Sequence, residues 1–316
     1  MDLGTHRRRE GTRPTVEPRV MTAPVCLPFD PAPMQPRWTP PARATDCHCH
    51  IFEDFARYPL SPERSYTPVA AGLEDYLGMC KTLGLSRTVQ VTASVYGTDN
   101  SLTLAVISEL GQHRARGVAG IAIDTSWLEL ERLHAGGMRG VRLSSRRKGY
   151  GGVEAIAPLA RLIHPFGWHL QLHVADIAEF VGMERLLLHV PVPIVFDHLG
   201  CARGGDRLDA PGFRSLLRVL QRRDDAWCKL SSWYRRSNAG PPDYPDMEPF
   251  VQALADARPD RLVFGTNWPH PGLFEPDTVP NDGTIMDQFC KWVPDPDVRT
   301  RILVDNPELL YGFPAS

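Results

Sequence analysis

From Thr45 onward, short apolar runs alternate with longer segments in which apolar residues fall three and four positions apart. The short runs at 45–50, 87–93, 118–123, 140–143, 169–174, 193–197, 227–230 and 261–265 predict eight strands. Segments 73–83, 101–112, 127–135, 155–163, 177–189, 211–221 and 247–257 carry the helical spacing and fill the gaps. Eight strands with intervening helices over roughly 270 residues have the size and order of an α/β (β/α)8 TIM barrel, whose sites lie at the C-terminal ends of the strands. Polar residues at those ends are therefore the candidates for chemistry.

The chain before Thr45 reads differently. Pro14, Pro18, Pro24, Pro28, Pro31, Pro33, Pro36, Pro40 and Pro41 interrupt it, and no apolar period runs through it. Residues 1–44 are thus expected to form an extended arm, solvated or strapped across the barrel's base, with disorder before Met21, itself a candidate start. Residues 45–316 are expected to form one barrel domain.

Composition narrows the function classes. Of 316 residues, 42% are hydrophobic and 23% charged, as in an ordinary globular protein. With 35 Lys and Arg against 37 Asp and Glu, the net charge of −2 offers no field for nucleic acid or a membrane surface. The basic start has no apolar region behind it and no run reaches the roughly 18 residues of a membrane helix, so neither signal peptide nor anchor is expected. Seven scattered cysteines in a chain able to build its own core favour reduced thiols and a cytoplasmic location.

Strand alternation in Asp46-Cys47-His48-Cys49-His50 is expected to turn Asp46, His48 and His50 to one side and the two cysteines, as small buried hydrophobes, to the other. Two imidazoles beside a carboxylate can bind a divalent metal, or polarise a carbonyl and move protons without one. The second strand runs into Ser94, the fourth brings Arg142 with Arg146, Arg147 and Lys148 beyond it, and the fifth brings His173. Asp197-His198 follows strand six, Ser231, Arg235 and Arg236 follow strand seven, and Asn267 and His270 follow strand eight. Guanidinium forks match carboxylates, so this mouth suits a small anion, a dicarboxylate above all. Arg142 and Arg235 are the expected clamps, with Arg147 and Arg236 expected in solvated surface pairs.

The motifs DCHCH at 46–50, QVTASVYGTDN at 90–100, GVRLS at 140–144, VFDHLG at 195–200, KLSSWYR at 229–235 and GTNWPHP at 265–271 together resemble the amidohydrolase superfamily, in its branch of 2-pyrone-4,6-dicarboxylate and sugar lactonases. The resemblance runs from about Thr45 to Tyr311. It implies a distorted (β/α)8 barrel that opens cyclic esters, commonly without metal. By that resemblance His48, His50 and His198 polarise the lactone carbonyl, and Ser94, Arg142 and Arg235 grip substrate carboxylates; Arg146, His173 and His270, by their place at and beyond the strand ends, are expected as further substrate contacts.

One departure stands out: Asn267 occupies the place where lactonases carry a base, and an amide cannot accept a proton at neutral pH. Asn267 can be an engineered change, or a natural residue beside a histidine base, His173 or His198. It can also mark a lactone isomerase similar to galactarolactone isomerase, in which a substrate hydroxyl attacks. A barrel that binds a small acid without catalysis is the remaining reading. The loss of the carboxylate also disfavours a metal; if zinc or another divalent ion binds, His48, His50 and His173 are the expected ligands. A small anionic lactone is the expected partner; oligomeric state is not legible.

Overall fold

The computed structural model describes Met1 and residues 23–146 and 151–314. Eight parallel strands form one sheet in sequence order: β1 (Thr45–Cys49), β2 (Arg87–Val91), β3 (Ala115–Ala119), β4 (Met138–Ser144), β5 (His169–His173), β6 (Ile194–Phe196), β7 (Ala226–Leu230) and β8 (Leu262–Phe264). Backbone bonds from Asn267 N–H to the His48 carbonyl (2.7 Å) and from His50 N–H to the Trp268 carbonyl (2.8 Å) join the end of β8 to β1 and close the barrel. The helices α1 (Leu73–Leu83), α2 (Ser101–Leu110), α3 (Trp127–Ala135), α4 (Ile156–Ile163), α5 (Glu179–Leu187), α6 (Pro211–Arg222) and α7 (Glu248–Ala257) fall where the apolar spacing places them.

Three expectations change. Strand β3 begins at Ala115, three residues before the apolar run, and ends at Ala119. The Asn100 side chain explains the early end, because it bonds both the N–H (3.0 Å) and the carbonyl (2.9 Å) of Gly120 and removes them from the sheet ladder. Beyond β8 the chain adds α8 (Asp282–Trp292), α9 (Pro296–Thr300) and α10 (Asn306–Tyr311), none of which the periodicity singled out.

The arm is the third. Leu27 N–H bonds the Leu273 carbonyl (2.9 Å) at the barrel mouth, the Asn281 side chain holds Met34, and Arg43 reaches Glu308 on α10 (2.7 Å). The arm therefore descends the outer wall beside α8 from rim to base, where a solvated tail or a strap across the base was expected. The expected disorder before Met21 lies outside the described residues.

Inside the barrel, Cys47, Val89, Val91, Val118, Val195, Trp227 and Val263 form an apolar layer with Tyr311 and Phe313 of the chain's end. Phe313 lies under the guanidiniums of Arg87 (4.9 Å) and Arg116 (5.4 Å). The C-terminal segment thus stoppers the end of the barrel opposite the mouth, and each of its buried aromatic side chains contributes on the order of 1.5–3 kcal/mol. Among the described residues no helix is long and apolar enough to cross a membrane.

Candidate active site

A cavity of about 150 Å³ opens at the C-terminal ends of the strands, below the roughly 300–1,000 Å³ of drug-sized sites and suited to a small acid. Of the residues expected at the site, all but His48 and His270 line it. Arg142, Arg146, Arg235 and Arg236 bring four guanidiniums to its lining, and His50, His173, His198, Ser94 and Asn267 supply further polar groups. Tyr66 and Leu273 complete the rim that the arm braces.

The backbone is bent to present these groups. A register shift between Asp46 and Cys49 breaks the alternation of β1. Cys47 faces the barrel interior, Cys49 bonds Thr88, and Asp46 turns away from the site to accept from Thr266 N–H and Oγ1, Tyr76 Oη and His48 N–H. The expected convergence of Asp46 with the histidines, and the pairing of the cysteines on one face, are thereby corrected: a bulge resets the period of two. Close passage of β8 permits this, since a Cβ on Gly265 would stand 2.7 Å from His48 Cβ. His198 (φ 51°), Ser232 (φ 57°), Asn267 (φ 60°) and His270 (φ 63°) all hold left-handed backbone, a strained conformation gathered here at strand ends.

Beneath the cavity floor lies an ionic layer. Asp197, fully buried, accepts from Arg142 Nε (2.8 Å) and Gln171 Nε2 (3.2 Å), and Lys229 Nζ stands 3.9 Å away. Burial opposes ionisation, but Arg142 and Lys229 hold the Asp197 carboxyl below the ordinary range. Burial in turn brings Lys229 down to about 8, partly offset by Asp197. Lys229 donates to Cys47 O (2.8 Å) and Gln171 Oε1 (2.7 Å), and its third N–H faces His48 Nδ1 (3.3 Å).

His48 Nδ1 stands 3.3 Å from both the Lys229 ammonium, which only donates, and Asp197 Oδ1, which only accepts. At His50 one contact sets the tautomer: Nδ1 lies 2.7 Å from the Val91 carbonyl, which can only accept, so Nδ1 carries the proton and Nε2 is an acceptor on a residue that lines the cavity. Burial, reinforced by Arg142, keeps His50 neutral, with a pKa near 3. Burial likewise pushes His198 well down; its Nδ1 meets Ser231 Oγ at 2.7 Å.

His48, Asp197 and His198 are the group among the described residues whose ligand atoms come within 4.8 Å of one another, in place of the expected His48, His50 and His173. The donor types suit a divalent ion, but the setting does not. Asp197 is already bound by Arg142 and faced by Lys229, and Arg142 Nη2 lies 3.5 Å from His198 Nε2, so an ion there would meet two fixed cations.

Two residues depart from their expected places. Arg236, expected in a solvated pair, is buried and stands with Nη2 3.5 Å from His173 Nε2, because the turn that starts at Ser232 winds it back into the mouth. His270 packs behind the wall, its Nδ1 2.8 Å from Tyr234 Oη and its Nε2 3.3 Å from Asp282, and does not reach the cavity. Arg147, the other expected surface arginine, lies outside the described residues. Asp197 was named at its strand end without a role, and Lys229 and Tyr234 were missed; a lysine inside the apolar Trp227-Cys228-Lys229-Leu230 run was the available signal.

An amidohydrolase family model matches residues 45–313. The 4-sulfomuconolactone hydrolase of Rhizobium radiobacter is 33% identical over 96% of this chain and 97% of its own length. The 2-pyrone-4,6-dicarboxylate hydrolase of Comamonas testosteroni is 32% identical over 88% of this chain and 93% of its own. The D-galactarolactone isomerase of Agrobacterium fabrum is 31% identical over 86% of this chain and 91% of its own.

Proposed function

The chain belongs to the amidohydrolase family, and on that premise we propose that it hydrolyses the cyclic ester of a small dianionic lactone, with 2-pyrone-4,6-dicarboxylate as the model substrate. The observation that carries this reading is the placement of Arg142, Arg146, Arg235 and Arg236 around one small cavity that also holds the His50 acceptor. Relatives that act on such lactones support the substrate class.

In the proposed reaction Arg235 and Arg236 hold the substrate's anionic groups at the rim, and the Arg142 guanidinium, set beside His198 Nε2, faces the lactone carbonyl. Fixed donors aimed at the developing oxyanion contribute roughly 3–4 kcal/mol each. A water sits between His50 Nε2 and Asn267. As its oxygen bonds to the carbonyl carbon, its proton passes to His50 Nε2; the ring C–O bond then breaks and the proton leaves for the departing oxygen. Lactone and water thereby become one open-chain acid. His50 is a weak base in the empty site, but a bound dianion cancels part of the guanidinium field and raises its basicity. No step runs through a metal, in keeping with the cations around Asp197.

Asn267 favours one second reading. Lacking a carboxylate to activate water, the same site can place a substrate hydroxyl against the carbonyl and shift the lactone between ring sizes, the chemistry named for the Agrobacterium relative. A proton NMR time course with 2-pyrone-4,6-dicarboxylate and galactarolactones tests both. Open-chain acid supports hydrolysis, ring interconversion supports isomerisation, and unreacted ligand that nevertheless binds rejects both.

A further inference from the structure

Behind Asn267 runs a chain of buried groups that neither reading uses. Asn267 Nδ2 lies 2.9 Å from Tyr234 Oη, Tyr234 Oη 2.8 Å from His270 Nδ1, and His270 Nε2 3.3 Å from the Asp282 carboxylate on α8. Tyr234, His270 and Asp282 are all buried. None of the three lines the cavity, so they act on it only through Asn267.

We propose that Tyr234, braced by His270 and Asp282, is a positioning residue that locks the Asn267 amide with its Nδ2 inward and its carbonyl oxygen toward the cavity, as the acceptor that orients the attacking hydroxyl. The inference rests on the reading of Asn267 as the group that holds the nucleophile.

Donor and acceptor accounting carries the argument. A carboxylate only accepts, so His270 Nε2 carries a proton directed at Asp282. If that is the ring's only proton, Nδ1 accepts from the Tyr234 hydroxyl, and Oη has only lone pairs left for Asn267. If the shared proton moves to Nδ1, the phenolate accepts from both sides. In both states Asn267 offers its N–H₂ inward and its Oδ1 is left facing out; a doubly protonated His270 beside a neutral phenol would instead free the hydroxyl for Oδ1, but the structure sets Nδ2 against Oη at 2.9 Å. Although burial works against both charged forms, His270 is held above and Tyr234 below its ordinary range, each by the other's charge, with Asp282 and Arg235 assisting. The left-handed backbone of Asn267 and its N–H bond to the His48 carbonyl fix the main chain, leaving the side-chain amide as the part that needs a brace.

The test is a cycle of Tyr234→Phe and Asn267→Ala, assayed with 2-pyrone-4,6-dicarboxylate and a galactarolactone. Tyr234→Phe is expected to lower kcat about 10- to 100-fold with KM changed less than about twofold, since the anion clamp is untouched. In the Asn267→Ala background the same substitution should cost nothing further. Asp282→Asn, which loosens His270 but keeps the phenol, should move kcat in the same direction. An unchanged kcat, or an equal loss in both backgrounds, overturns the proposal. Side-chain amide NMR supplies a readout independent of turnover, with the Asn267 resonance identified by its absence in Asn267→Ala. Slow hydrogen exchange at Nδ2 that becomes fast in Tyr234→Phe supports the brace even if no lactone reacts, which would sink the catalytic reading alone. Equal exchange in parent and variant overturns the brace.

Discussion

His50 Nδ1 lies 2.7 Å from the carbonyl oxygen of Val91, the last residue of the neighbouring strand. That contact turns an imidazole that might have donated to a substrate carbonyl into an acceptor facing the cavity. His50→Gln, which keeps a polar side chain but no basic ring nitrogen, should lower kcat by about 10²–10⁴ while KM moves much less. Steady-state kinetics check this; a loss confined to KM would make His50 a binding group.

Arg236 is the residue whose place most changes the picture of binding. Removing a charge-assisted contact costs roughly 1.5–3 kcal/mol, about 10- to 150-fold in affinity. Arg236→Ala should therefore raise KM for a dicarboxylate lactone by about that factor, and by far less for a lactone with no free carboxylate. Equal effects on both would place Arg236 outside the clamp.

Asp197 and Lys229 hold each other's charge inside the barrel. Asp197→Asn leaves the Lys229 ammonium and Arg142 without their counter-charge, and breaking such a buried set costs about 3–5 kcal/mol. Denaturant melts should show it, with a milder loss for the double variant Asp197→Asn with Lys229→Met.

Asp46 supplies a pH signature. Its buried carboxyl is raised from 3.8 to about 6, so its contribution to stability is complete below about 3.8 and lost as pH rises through about 6. Asp46→Asn removes that loss. Relative to the parent, the variant should gain about 2–3 kcal/mol between pH 4 and pH 7.5. A difference that stays flat across this window would show that Asp46 is not the titrating group.

Reaction rates should withstand metal chelation, because Arg142 and Lys229 already neutralise the carboxylate that an ion would share with His48 and His198. Assays of protein with and without chelator, after elemental analysis, decide the matter. Activity lost on chelation and restored by zinc would show that the cations yield to the ion.

Much of this was legible in the chain. The eight apolar runs and seven helical spacings fix the barrel, and the rule that barrel sites lie at strand ends picks out Ser94, Arg142, His173, His198, Arg235 and Asn267, all of which meet in the cavity. Such periodicities are local, since a strand or helix face is written in neighbours two to four residues apart. What the tertiary structure decided depends on contacts between distant segments. The bulge in β1 undoes the alternation on which Asp46 and Cys47 were assigned, and the turn after Ser232 buries Arg236 in the mouth beside Arg235. Val91 sets the His50 tautomer across 41 positions, Lys229 meets His48 across 181, and His270 reaches Tyr234 across 36. Which nitrogen carries a proton, and which charge is held down by another, follows from distances of a few ångströms that the chain creates only when the barrel closes.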